Sequence, residues 1–106
     1  MQIKEYLTIK QTDENKHKIY YLRDRLTCKD GFSMSVQANK ALRCTPQATL
    51  LDGEYEAVEI GFPSALEQLL VPYMDDEAKT AVTKTIYNYV PLDVVEEVIV
   101  KHGGIA

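Results

Sequence analysis

The side chains best suited to chemistry in this chain are two cysteines and two histidines, Cys28, Cys44, His17 and His102. A thiolate beside a histidine provides a nucleophile and a base, and the positive charge of Arg43 would lower the pKa of the adjacent Cys44 thiol. Nothing in the spacing brings Cys44 and His102 together. We therefore assign no catalytic residue, and we keep Cys44 only as a weak candidate for a reactive thiol.

The same four residues do not have the spacing of a metal site. A structural zinc ion takes four ligands, usually in closely spaced pairs, whereas these cysteines and histidines are widely separated. We expect no metal and no cofactor. Cys28 is interpreted as a small core residue, and both thiols are expected to be reduced because disulfides are rare in cytosolic chains.

A row of polar residues offers a better binding surface than the thiols do. Ser33, Ser35 and Gln37 alternate with apolar residues, so they share one face of a predicted strand. Alternation in the preceding segment places three more side chains on that face: Tyr21, Arg23 and Arg25. Because Arg and Tyr are enriched in protein interfaces, we predict a binding surface made of these six residues. The alternative is an ordinary solvent-exposed sheet face.

Turns and alternation predict the strands that position this row. Asp30-Gly31 separates two alternating runs, which is the strongest short-range signal of a β-hairpin because glycine tolerates positive φ. The first run predicts a strand over 19–28, in which Asp24 falls on the apolar side and requires either a bulge or a buried partner. Further strands are predicted at the following segments: 32–38, 54–61 and 80–90. A helix over 75–84 competes with the last one, and 1–10 is a short strand or a helical turn.

Two predicted helices complete the fold. Ser64 and Glu67 match a capping box, which predicts a helix that Pro72 ends. Pro91 suits the first turn of the second helix and Gly103 its C-terminal cap. The second helix would bury Leu92, Val95, Val98 and Ile99, place His102 at the negative end of its dipole, and pair Glu97 with Lys101 on its outer side. We predict an α+β fold with an antiparallel sheet of about four strands and two helices packed on one face, in a single domain over 1–106.

Charge and hydropathy limit the partners that this chain can have. Its net charge is −4 and its pI about 5.1, whereas nucleic-acid modules present a basic face to the phosphates. No apolar run approaches the ~20 residues that span a bilayer. The first residues lack the apolar core of a signal peptide. We expect a cytoplasmic chain that binds neither nucleic acid nor membrane.

Several segments resemble a known family. DGFSMSVQA at 30–38, VEIGFPS at 58–64 and YVPLDVVEEVIVKHGGI at 89–105, together with Cys-Thr-Pro at 44–46, resemble a family of small proteins encoded by bacteriophages and prophages, to which no activity is assigned. The resemblance implies a phage-related chain in the cytoplasm of a bacterial host cell. It provides no catalytic or binding residue.

These observations together favour a non-catalytic phage or prophage accessory protein that acts as a protein–protein interaction module. Its partner would be a host or phage protein, with a homodimer as a further possibility. The alternatives are a small-molecule or nucleotide binder that uses the polar sheet face and, less favoured, a cysteine-dependent enzyme.

Overall fold

The computed structural model describes residues 2–18, 20–75 and 81–106. Its elements, in chain order, are α1 (Ile3–Leu7), β1 (Leu26–Thr27), β2 (Ser33–Gln37), β3 (Ala57–Gly61), a 3-10 turn (Val71–Tyr73), β4 (Ile86–Pro91) and α2 (Leu92–Lys101). The strands form an antiparallel sheet in the order β1-β2-β3-β4. The predicted α+β fold, with a four-stranded antiparallel sheet and two helices, is confirmed.

The hairpin between β1 and β2 forms where the Asp-Gly signal predicts it. Gly31 has a φ of 95°, and its N–H donates to the Cys28 carbonyl at 3.0 Å. Asp30 Oδ1 accepts the Phe32 N–H at 2.8 Å, so the aspartate closes the turn with its side chain. The hairpin therefore fixes the position of the Asp30 carboxylate.

The core lies on the sheet face that carries the alternating apolar residues. The register pairs Val36 with Ile60 and Val58 with Val90, so these four side chains share one face, and all are fully buried. Both helices contribute to the same core through their buried residues Ile3, Leu7, Val95, Val98 and Ile99. Burial of each such side chain contributes about 1.5–3 kcal/mol to the stability of the folded state. This packing fixes α2 against the sheet and turns its other side to solvent.

Both outer edges of the sheet already have backbone partners at some positions. Beside β1, the Ala106 N–H donates to the Thr27 carbonyl at 2.8 Å, and beside β4 the Asp75 N–H donates to the Ile86 carbonyl at 3.0 Å. A strand edge that is paired cannot take up a second chain at that position. The homodimer remains a prediction, and these positions do not provide its interface.

The N-terminal segment is helical rather than extended. Residues 1–10 were predicted as a short strand with a helical turn as the alternative, and the structure contains α1 at Ile3–Leu7. Ile3 and Leu7 are both buried. The two residues are four positions apart, and a helix places residues at this spacing on the same side. A strand would do so as well, but it lacks the hydrogen bonds within the helical backbone. The helical turn, given as the alternative, is therefore the correct prediction.

The helix predicted from Ser64 does not form. Residues 64–70 contain bends and turns instead of a helix, and the short 3-10 turn at Val71–Tyr73 comes directly after them. Ser64 instead continues the pairing of β2, since its Oγ accepts the Ser33 N–H at 2.9 Å and its N–H donates to the Ser33 carbonyl at 2.8 Å. Glu67 binds residues at the end of α2. Hydrogen bonds to residues distant in sequence therefore occupy both of the side chains that a capping box would need.

The strands predicted over 19–28 and 80–90 differ most from the observed ones. Within 19–28 only Leu26–Thr27 is a strand, Asp24 is exposed rather than semi-buried, and Ile19 lies outside the described residues. The last strand begins at Ile86. Much of the competing helix at 75–84 also lies outside the described residues, and 81–85 contains neither helix nor strand.

Candidate functional site

The polar row of β2 lies opposite the core, as predicted, but its side chains are largely engaged. Gln37 Oε1 accepts the Arg23 N–H at 2.8 Å, and Gln37 Nε2 donates to the Arg23 carbonyl at 2.7 Å and to Ser35 Oγ at 3.2 Å. The amide thus pairs with the backbone at Arg23 much as a neighbouring strand would. Gln37 holds the segment before β1 in place.

Arg25 has a similar structural role at the other end of the row. Its Nε donates to Ser33 Oγ at 2.8 Å, and its Nη2 donates to the carbonyls of Ser33 and Phe62. Arg25 therefore ties β2 to the end of β3. The side chain is exposed, but its donors are directed at the protein.

The predicted outward positions of Tyr21 and Arg23 are wrong. Asp24 and Arg25 are both exposed, which shifts the alternation by one residue, so that Tyr21 and Arg23 are buried and Leu22 is exposed. Of the six predicted binding residues, only four lie on the outer side: Arg25, Ser33, Ser35 and Gln37. The structure brings these four together through mutual and backbone hydrogen bonds.

Arg23 is a buried structural residue, with 9% of its surface exposed. Its guanidinium donates to the Leu7 carbonyl at 2.6 and 3.1 Å, to the Ala38 carbonyl at 2.9 Å and to the Tyr21 carbonyl at 3.3 Å. Burial lowers the pKa of Arg23, although a guanidinium remains charged in proteins. Arg23 thus joins the end of α1 to the end of β2.

The thiols are not placed for nucleophilic chemistry. Cys44 is 1% exposed, and its Sγ donates to the carbonyls of Asn39 at 3.2 Å and Pro46 at 3.4 Å. Burial raises the pKa of Cys44, contrary to the lowering expected from Arg43. Burial also raises the pKa of Cys28, which is part of the core as predicted, and both cysteines are free.

The sequence interpretation missed a cluster of charged residues around the end of α2, called here the His102 cluster: Asp30, Glu67, Lys101 and His102. His102 Nδ1 lies 2.6 Å from Asp30 Oδ2, and His102 Nε2 lies 2.7 Å from Glu67 Oε1. Glu67 Oε2 also accepts bonds from the Leu69 N–H at 3.0 Å and from Lys101 Nζ at 2.9 Å. The hairpin, the turn at Glu67 and the end of α2 therefore meet at one imidazole.

Hydrogen bonds decide the ionisation states in the His102 cluster. Burial by itself would lower the pKa of His102, but its hydrogen bonds with Glu67 and Asp30 outweigh burial and raise that pKa. Burial would likewise raise the pKa of Glu67, and the bonds from the Leu69 N–H, Lys101 and His102 together lower it. A hydrogen bond from the Phe32 N–H and the contact with His102 lower the pKa of Asp30. Below this raised pKa the ring is an imidazolium, and both of its N–H groups can then donate to the two carboxylates.

The contacts of His102 give it a structural role rather than a catalytic one. Both ring nitrogens of His102 have carboxylate partners, so no lone pair is available to activate a nucleophile. The ring also stacks on Phe32, with centroids 4.1 Å apart and planes 12° apart. Within the described ranges, no group of three or more His, Cys, Asp or Glu side chains could hold a metal ion.

The ionised His102 is expected to make the protein less stable at alkaline pH. Folding raises the pKa of His102 above its ordinary 6.5, so its stabilisation is complete below that pH and is lost as the pH rises through the folded-state pKa. The free energy of unfolding should fall there by at most about 1.4 kcal/mol per pH unit. Urea unfolding of the wild type and His102→Gln between about pH 6 and pH 9 measures this fall. Identical slopes in the two proteins would contradict the assignment.

A shallow groove runs along the solvent side of α2, called here the α2 groove and lined by Leu69, Asp93, Glu96, Glu97, Val100 and Lys101. Val100 is 76% exposed although it is apolar, and Leu69 is half-buried across the groove. Lys101 forms its ion pair with Glu67 instead of with Glu97, its predicted partner. The groove thus sets two apolar side chains, Leu69 and Val100, beside three carboxylates, and an exposed apolar side chain bordered by charged ones is typical of a binding surface rather than of a core.

Comparison of the chain with protein-family models, with curated proteins and with solved structures found no match in any of the three. No helix in the described part of the chain is long and apolar enough to cross a membrane.

Proposed function

We propose that this chain is a non-catalytic accessory protein of a bacteriophage or prophage, which acts in the host cytoplasm as a protein–protein interaction module. Its partner is a host or phage protein. The phage origin rests on the segments at 30–38, 58–64 and 89–105 that resemble the phage and prophage family.

The observation that carries this proposal is the exposure of Val100 in the α2 groove. An apolar side chain on the outer side of a helix contributes nothing to the core. Its burial under a partner protein would stabilise the complex. Leu66, in the turn that contains Glu67, is also half-exposed. In contrast, the titratable side chains that could do chemistry, Cys44 and His102, are bound to other residues of the fold.

Binding of a small molecule or nucleotide at the polar sheet face has less support. Such a site needs donors that point outward to a ligand, whereas Arg25 and Gln37 direct theirs at Ser33 and the backbone of Arg23. The cysteine-dependent enzyme has less support again, because Cys44 is buried and its pKa is raised.

Affinity capture with matched variants tests the proposal. Tagged wild type, Val100→Ser and Leu22→Ser would each be used to capture proteins from lysates of infected or lysogenic host cells. Leu22 is the control, since it is also 76% exposed but lies outside the α2 groove. We expect a protein that wild type and Leu22→Ser retain and Val100→Ser loses, and that forms a stoichiometric complex with the wild type after purification.

Two results would contradict the proposal. One is that no protein forms a stoichiometric complex with the wild type. The other is that all three variants retain the same proteins equally. Light scattering on the purified chain detects self-association, and a dimer that Val100→Ser dissociates would make the partner a second copy.

A further inference from the structure

In the described part of the chain, the three acidic side chains of the α2 groove have no ion-pair partner. The ammonium of Lys101, a basic residue that lines the groove, lies 2.9 Å from the carboxylate of Glu67. Among the residues that the structure describes, no ion pair involves Asp93, Glu96 or Glu97. The groove therefore presents uncompensated negative charge beside an apolar surface.

The acids and the valine are arranged as a stripe along one side of the helix. Asp93, Glu97 and Val100 are separated by four and three residues, a spacing that places side chains on the same side of α2. Leu69 forms the opposite wall. A ten-residue helix is about 15 Å long, so the groove matches a partner segment of about three helical turns.

The apolar and acidic side chains of the α2 groove are complementary to one kind of partner segment. An apolar surface with an acidic rim fits a segment that carries apolar side chains on one side and Lys or Arg on its flanks, because the apolar contact gives affinity while the charges select the partner and speed association. An acidic segment would place like charges together and would therefore bind more weakly.

We propose that the α2 groove binds a basic amphipathic segment of the partner protein. The inference rests on the proposed function and goes further, because it states the chemistry of the partner and the residues that select it. Val100 and Leu69 contact the apolar side of that segment, and Asp93, Glu96 and Glu97 contact its basic flanks.

A synthetic peptide of leucine and lysine, about 18 residues long with its leucines at helical spacing, is the probe. The control peptides are a scrambled version of the same composition and a version with glutamate in place of lysine. Fluorescence anisotropy with the intact protein measures the three affinities. We expect the amphipathic basic peptide to bind at least about tenfold more tightly than either control, and its affinity to fall as salt is added.

Matched variants test whether the peptide binds at the α2 groove. We expect Glu96→Gln/Glu97→Gln and Val100→Ser each to weaken binding by about fivefold or more. The controls are Glu14→Gln/Glu56→Gln, which removes the same charge from exposed residues outside the groove, and Leu22→Ser. Both controls should leave the affinity unchanged. Circular dichroism and urea unfolding establish that each variant is folded.

Three outcomes overturn the inference: equal binding of the scrambled peptide, tighter binding of the glutamate peptide, or equal weakening by the control variants. These outcomes are distinguishable from failure of the proposed function. If capture yields a partner that depends on Val100 while the basic peptide fails, then the interaction module stands and the partner chemistry is wrong. If no partner depends on Val100, the proposed function fails first.

Discussion

Replacing Glu67 with alanine is expected to lower the free energy of unfolding by about 3 kcal/mol. The carboxylate is 1% exposed and accepts bonds from the Leu69 N–H, Lys101 and His102. Its removal leaves the Leu69 N–H and the Nε2 side of His102 without an acceptor, and it detaches the turn at Glu67 from α2. Urea unfolding monitored by circular dichroism measures the change.

Two further variants show whether the charge of Glu67 matters. Glu67→Gln keeps the shape and one acceptor oxygen but removes the negative charge between Lys101 and His102, so it should also destabilise the protein, by less than alanine does. Gln68→Ala changes the exposed neighbour and should cost under about 0.5 kcal/mol. If Glu67→Ala were no more destabilising than Gln68→Ala, the His102 cluster would not hold these elements together.

Replacing Arg23 with alanine is expected to cost about 3 kcal/mol as well. The buried guanidinium is a hydrogen-bond donor to the carbonyls of Leu7, Tyr21 and Ala38, and the substitution leaves these acceptors unsatisfied around a cavity. Arg23→Lys should recover little of the loss, since an ammonium lacks the planar fork that reaches several carbonyls at once.

Arg25→Ala is the matched control for Arg23→Ala. Arg25 also donates to carbonyls, those of Ser33 and Phe62, but it is exposed, so water can replace its bonds. We expect a cost of about 1 kcal/mol by urea unfolding. Equal costs for the two substitutions would contradict the structural role assigned to buried Arg23.

Local patterns predicted the parts of the fold that local bonds determine. The hairpin depends on Asp30 and Gly31, and the alternation in β2 depends on one unbroken run of residues. The capping box failed for the opposite reason: Ser64 and Glu67 have the right types and spacing, but residues distant in sequence compete for their side chains. The sequence contains no signal of that competition.

The candidate sites differ in how far the sequence reveals them. The His102 cluster joins residues 72 and 35 positions apart, so only the fold brings Asp30 and Glu67 to the imidazole. The burial of Arg23 depends on a shift in alternation at Asp24 that the residue types do not specify. Val100, however, lies off the apolar stripe of the last predicted helix, and this position was a readable signal of a second apolar surface.

Amide hydrogen exchange of the wild-type protein, with and without the purified captured partner, locates the surface that the partner covers. Binding is expected to slow exchange along Leu92–Lys101, which carries most of the α2 groove, and around Leu69, its opposite wall. The polar sheet face at Ser33–Gln37 should not change. Protection of Ser33–Gln37 without protection of α2 would show that the partner binds the sheet face and not the α2 groove.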